Sequence, residues 1–212
     1  MALAAPPPGG ALTVRHFTWD EQRPITRVCS AAHLPNSFNS SDVPARFRPF
    51  YCGRSQPVPT MYGANHVDGA LGETVFHDVP AGRAAWAVPR ASLYARLRSV
   101  LIPQRPLRLV DLTGWAHKAL KIDGRALVDC EPPEYPVTAQ WAERLHDHPA
   151  EPDGLYWRSR QYDRSFAFML FGDRVGMSEL RVVLDETIAL WQGDGLDEVL
   201  AAAERANVTI LR

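Results

Sequence analysis

The sequence predicts an α+β fold in a single compact domain, and three observations carry that prediction. Strand-like and helix-like segments are interspersed without a regular βαβ rhythm. No internal repeat or composition break divides the 212 residues beyond an Ala/Pro/Gly-rich start. A hydrophobic content of 46% is enough to fill one core.

Taken in order, residues 1–12 (MALAAPPPGGAL) lack a basic n-region and a long apolar run. They are expected to be a disordered tail, not a signal peptide, leaving 13–212 as the domain. ITRVCS at 25–30 reads as a strand. Residues 31–58 are rich in Pro, Ser, Asn and Arg, a long irregular stretch of the kind that often carries function. PTMYGA at 59–64 reads as a second strand. Val67, Ala70, Leu71, Thr74 and Val75 share one face and predict a helix from Val67 to Phe76. Asn65 or Asp68 would cap it, and Glu73 sits at the edge of its buried face. Leu93, Leu97, Val100 and Leu101 predict a further helix over 90–101.

LRLVDLT at 107–113 reads as a strand, followed by a short helix from Trp115 to Leu120. A helix over 137–147 rests on Trp141, Ala142 and Leu145. GLYWRSR at 154–160 and SFAFMLF at 165–171 are strong strands. The second is apolar on both faces, which predicts a central position. Residues 181–190 read as a strand, and Leu196, Val199, Leu200 and Ala203 mark a last helix with Asp194 as its cap.

Charge excludes some functions. Lys and Arg number 23 against 24 Asp and Glu, a net charge of −1. That balance argues against a dedicated nucleic-acid binder and leaves room for a small anionic ligand. Lys118 and Lys121 are the only lysines. A GC-rich coding bias is the plainer explanation, although arginine also suits bidentate phosphate contacts. Cys29, Cys52 and Cys130 are odd in number and lack CxxC spacing. They predict neither a disulfide framework nor a zinc site, and a reducing compartment. No run approaches the ~18 apolar residues of a membrane helix, so a cytoplasmic protein without membrane contact is expected. Rossmann, P-loop, GxSxG and HExxH signatures are absent. His146 and His148 flank Asp147 at a helix end, where the helix dipole explains histidines better than a metal does.

Four segments stand out in order: ITRVCSAAH at 25–33, ARFRPF at 45–50, MYGANHVDGALGETVFHD at 61–78 and DGLYWRSRQYD at 153–163. They supply Arg27, Arg46-Phe47, Met61-Tyr62-Gly63-Ala64, Ala70-Leu71-Gly72-Glu73 and Asp153-Gly154 through Ser159-Arg160. Together they resemble the RES domain, a family named for its Arg, Glu and Ser, over roughly 25–172. Ala45 departs from the glycine expected before Arg-Phe, and Arg48 is a second candidate in that turn.

The resemblance implies a fold like that of ADP-ribosyltransferases. It implies a toxin of a toxin–antitoxin pair, with an Xre-type helix-turn-helix antitoxin as partner and no direct contact with nucleic acid. It is compatible with homo-oligomers. The implied reaction is cleavage of NAD at the nicotinamide–ribose bond, by phosphorolysis or hydrolysis, with NAD as substrate, inorganic phosphate as co-substrate and no metal. Two rivals are a transferase placing ADP-ribose on a protein and a RES-like binding module without catalysis.

The residue types suit that chemistry. Loss of nicotinamide leaves an oxocarbenium-like ribose, which a carboxylate stabilises; Glu73 is the candidate. Arg27 and Arg46 are candidates for the diphosphate. Tyr62 would wall or stack on the nicotinamide. Ser159 would donate to a phosphate or ribose. The catalytic set is therefore Glu73, Arg46 and Tyr62, and the NAD-binding set Arg27, Arg46, Tyr62 and Ser159. Taken singly, each has a plainer explanation: a solvated helix carboxylate, surface arginines, a half-buried aromatic, an ordinary strand serine. Their ordered occurrence favours the functional one. Trp157 and Trp191 are expected in the core or along a groove.

Overall fold

Residues apolar on both faces and residues alternating between faces assemble one mixed sheet. The computed structural model describes residues 3–9, 12–77, 79, 86–122 and 125–211. Its strands are β1 (His16–Trp19), β2 (Ile25–Ser30), β3 (Thr60–Ala64), β4 (Trp86–Pro89), β5 (Arg96–Pro103), β6 (Leu107–Asp111), β7 (Gly154–Arg158), β8 (Phe166–Phe171), β9 (Leu180–Ala189) and β10 (Val208–Leu211). The helices are α1 (Val67–Gly72), α2 (Trp115–Ala119), α3 (Tyr135–His146) and α4 (Gly193–Arg205). Eight strands lie in the order β1-β6-β7-β8-β3-β2-β5-β9, and β4 pairs with β10 alone. In the large sheet β6 and β7 run parallel, and the other neighbouring pairs are antiparallel.

The two-residue strand period sorts the core. Leu155, Trp157, Met169 and Phe171 point to the face covered by α3, where they meet Phe47, Phe50, Trp141 and Leu145. Phe168 and Leu170 point the other way, to Trp19, Ile25, Met61 and Leu109. Strand β8 is thus buried on both faces, as its composition predicts. A third cluster joins α1 and α4 through Leu71, Phe76, Leu190 and Val199.

Several expectations are corrected. The helix foreseen over 90–101 is a 3-10 turn (Arg90–Leu93) followed by β5. Ala95, at φ 58°, separates them. Strand β5 lies between β2 and β9 and is buried on both faces from Ser99 to Pro103, so its apolar run also satisfies helical spacing. Helix α1 ends at Gly72 rather than Phe76, because the chain turns to bury Phe76. Its cap is His66, whose ring accepts from Asp68 N–H at 3.1 Å, not Asn65 or Asp68. Asp68 binds Arg205, and Asn65 accepts from Ser165 and Phe166. Helix α4 is capped by Gln192, with Asp194 inside its first turn. The short strands β1, β4 and β10 were not foreseen.

The described part of the N-terminal segment lies along α3. The Trp141 indole N–H donates to the Ala4 carbonyl at 2.8 Å, and Leu3 N–H donates to Glu134 at 3.1 Å. The cysteines are free. No helix among the described residues is long and apolar enough to cross a membrane.

One histidine makes stability pH-dependent. His117 on α2 is 5% exposed, and its Nε2 has no partner among the described residues. Burial pushes its pKa below the ordinary 6.5, partly offset by the Leu112 carbonyl. The unfolded chain then binds more protons than the native one near that pH. The His117 contribution is therefore present above about pH 6.5 and lost as pH falls through that value toward the folded pKa. We expect the urea midpoint to drop between about pH 7.5 and 5.5, less steeply in His117→Gln; parallel slopes for both proteins would contradict this.

Candidate active site

The sheet is nearly divided in two. Strands β2 and β3 share a single register pair, Thr26 with Ala64, while β2 pairs with β5 along its whole length. Beyond that pair β2 and β3 diverge, and a cleft of about 1010 Å3 opens between them and the long loop. Among the described residues, its walls carry Arg27, Arg46, Arg48 and Arg96 against one carboxylate, that of Glu73. Such a balance favours an anionic ligand.

The loop presents Arg46 by a tight turn. Ala45 and Arg48 exchange backbone hydrogen bonds of 3.0 Å each. Phe47 takes φ 70°, in the left-handed region that costs a non-glycine residue about 1–2 kcal/mol. The ring offsets that cost: it is fully buried, 5.3 Å from the Trp157 ring, while Phe47 N–H donates to Thr138 Oγ1 at 3.0 Å. With Phe47 driven into the core, Arg46 faces the cleft. The Tyr62 hydroxyl on β3 donates to the Arg46 carbonyl and steadies the turn from below. Burial pushes the Tyr62 phenol well above its ordinary pKa, so the group stays a donor.

Glu73 follows α1 directly as its C-cap, and its side chain is 8% exposed. One carboxylate oxygen accepts from Arg46 Nη1 at 3.0 Å. The other accepts from the Ser159 hydroxyl at 2.8 Å and from Arg160 N–H at 3.2 Å. Burial works against the Arg46 charge, but Glu73, Cys130, Tyr135 and Tyr62 together outweigh that penalty, so the Arg46 pKa stands above arginine's ordinary value. Arg46 Nε is buried without a partner among the described residues, leaving one donor unspent.

Helix α1 reaches this point because Gly69 allows close approach. A Cβ there would overlap Ser165 Oγ and stand 2.6 Å from Ser165 Cβ. Ser165 is fully buried and accepts from Ser159 N–H at 2.9 Å, so α1 and the Ser159 loop are packed as one unit.

The structure therefore brings Arg46, Tyr62, Glu73 and Ser159 into one hydrogen-bonded group. Ser159 is fully buried behind Glu73 and does not line the cleft; its hydroxyl orients the carboxylate. Arg27 lies on the opposite wall. Its Nη1 donates to the carbonyls of Pro35 at 2.8 Å and Ser37 at 2.6 Å. Burial lowers its pKa from arginine's ordinary value. Arg48 lines the mouth, bonded to Ser41. Trp157 is core, with 0% exposure. Sequence reasoning missed Arg96, Thr138, Gly69 and the Arg160 amide. Gly69 and Arg160 lie inside the segments singled out, whereas Thr138 and Arg96 carry no local signal.

Comparisons with known proteins agree with this architecture. The RES domain pattern matches residues 24–191. The fold is similar to that of a chain in the crystal structure of the M. tuberculosis MbcT–MbcA toxin–antitoxin complex, with a TM-score of 0.57 and 14% sequence identity. That match covers 84% of this chain and 90% of the other. Comparison with curated protein sequences gives no match. With the matched span holding β2 through β9 and the whole Arg46–Glu73–Ser159 group, the chain belongs to the RES domain family.

Proposed function

We propose that the protein is the toxin of a toxin–antitoxin pair and acts by breaking the nicotinamide–ribose bond of NAD. The observation that carries this reading is Glu73, a carboxylate held by three donors in an arginine-lined cleft. In the reaction, the bond from the ribose anomeric carbon to the nicotinamide nitrogen breaks, and its electron pair leaves with nicotinamide. The remaining cation is stabilised by a fixed negative charge. Glu73 supplies that charge; Ser159 and the Arg160 amide position it without reorganisation during the step. An oxygen of inorganic phosphate, or of water that then loses a proton, bonds to the anomeric carbon. Arg27, Arg46 and Arg48 are the groups for the diphosphate. Tyr62 holds the Arg46 turn and walls the nicotinamide side.

The fold similarity to a chain of a toxin–antitoxin complex supports an antitoxin partner. The family resemblance makes that partner an Xre-type helix-turn-helix protein. Free cysteines and an NAD substrate fit a reducing cytoplasm.

The test is to incubate purified protein with NAD, with and without inorganic phosphate, and to follow nicotinamide and the ADP-ribose product. Phosphate-dependent release is the expected result and makes the enzyme a phosphorylase. Release without phosphate makes it a hydrolase, or a transferase if ADP-ribose becomes protein-bound. No release from folded, antitoxin-free protein would leave the binding module.

A further inference from the structure

Outside the cleft, three chain segments converge at the C-terminal end of α3. Cys52 and Gly53 lie in the long loop, past the Arg46 turn, in consecutive left-handed conformations, at φ 48° and 72°. His146 is the last residue of α3, and Asp147 is its cap. Asp173 follows β8. The His146 ring is 5% exposed and packs on Phe50 and Phe171 at 5.6 and 5.0 Å. Its Nε2 faces both Asp173 oxygens at 3.2 and 3.1 Å, and Asp173 is held by Arg54 at 2.7 Å.

With Asp173 holding Nε2, the ring turns Nδ1 toward Cys52 and Asp147, where a cation would bind the Nδ1 lone pair. On that side stand Cys52 Sγ at 3.1 Å and Asp147 Oδ1 at 3.2 Å. Ligand atoms of the three residues lie within 4.8 Å of one another. In a tetrahedral zinc site, neighbouring S, N and O ligands stand about 3.4–3.6 Å apart; the two separations about His146 Nδ1 are within a few tenths of an ångström of that, and the Cys52–Asp147 pair lies within 4.8 Å.

We infer that Cys52, His146 and Asp147 form a binding site for a divalent transition-metal ion of the zinc class. Thiol, imidazole and carboxylate together select such a cation over magnesium or calcium, whose ligands are oxygens. Asp173 behind His146 is the carboxylate–histidine–metal arrangement that orients a ligating ring. Solvent takes the fourth position, since the Asp147 side chain is 53% exposed. On binding, the Cys52 thiol releases its proton to solvent. The ion ties the loop bearing Arg46, just past that turn, to the C-terminal end of α3. Sequence spacing hides the site because Cys52 and His146 are 94 residues apart. The neighbouring His148 turns away, toward the Leu12 carbonyl and the Ala150 amide.

The experiment uses the full chain, stripped of metal and kept reduced with a phosphine. Cobalt(II) is titrated as the spectroscopic probe, and zinc then competes. One equivalent of cobalt should give a thiolate-to-cobalt charge-transfer band, erased by zinc, and zinc should raise the thermal midpoint. Cys52→Ser, checked by circular dichroism, should lose the band. Asp173→Asn should keep it and weaken zinc binding by about 10- to 100-fold. Asp147→Asn, at the exposed ligand, gives a second variant that should weaken binding. Folded wild-type protein without the band overturns the assignment, as does Cys52→Ser with band and affinity unchanged. Because the readout is spectroscopic, it stands apart from NAD turnover.

Discussion

Glu73→Gln is expected to lower nicotinamide release from NAD by about 100- to 1000-fold, the range seen when one preorganised electrostatic group is removed from an active site. The substitution keeps shape. A glutamine carbonyl at the Oε1 position can still accept from Ser159 and the Arg160 amide. What it removes is the negative charge that meets the developing cation. It also leaves Arg46, 4% exposed, without its ion partner. Breaking a buried pair from one side costs about 3–5 kcal/mol, so a lower thermal midpoint should accompany the lost activity. Rates are therefore compared on protein shown to be folded. A folded variant that turns over NAD within about threefold of wild type, well inside the expected loss, would remove Glu73 from the chemistry.

Gly69→Ala should damage both the fold and the site with a single added methyl group. The added methyl would collide with Ser165, whose hydroxyl donates to Asn65 at 2.7 Å and whose backbone joins Ser159 and Tyr162. None of these groups is the free end of a flexible side chain. Relief requires α1 to move off the sheet, at the about 1–3 kcal/mol typical of overpacking. Glu73 moves with it, away from Ser159 and Arg160, so turnover should fall as well. Gly176→Ala is the control. Its Cβ would meet nothing closer than 3.6 Å, and the midpoint should stay near wild type. Equal midpoints for the two variants in chemical denaturation would show that the α1 contact is not tight.

The sequence was informative wherever one physical signal dominated. The apolar run of β8, the alternation of β2 and the amphipathic stripes of α3 and α4 each predicted their elements. Where two signals coincide, it misled. Strand β5 is apolar on both faces, and its Leu97, Val100 and Leu101 also satisfy a helical period. Strands β1, β4 and β10 have only four residues each, too few for a period to register. For the site, the ordered motifs yielded the members but not their pairing. Arg46 meets Glu73 across 27 residues and Ser159 meets Glu73 across 86. Nothing local says that Ser159 faces the carboxylate rather than a ligand. Thr138, which holds the Phe47 amide, lies 91 residues from it.

In mechanical terms, the single Thr26–Ala64 rung makes the large sheet two plates joined by a pin. One plate holds β1, β6, β7, β8 and β3; the other holds β2, β5 and β9. Rotation about the pin changes the gap between the plates while every other ladder stays whole. The far end carries a latch. Asn39 exchanges backbone hydrogen bonds of 2.8 and 2.9 Å with Thr60 on one plate. The carbonyls of Pro35 and Ser37, in the same stretch of loop, grip Arg27 on the other. Widening the cleft would have to break that latch, whereas narrowing it would keep those hydrogen bonds.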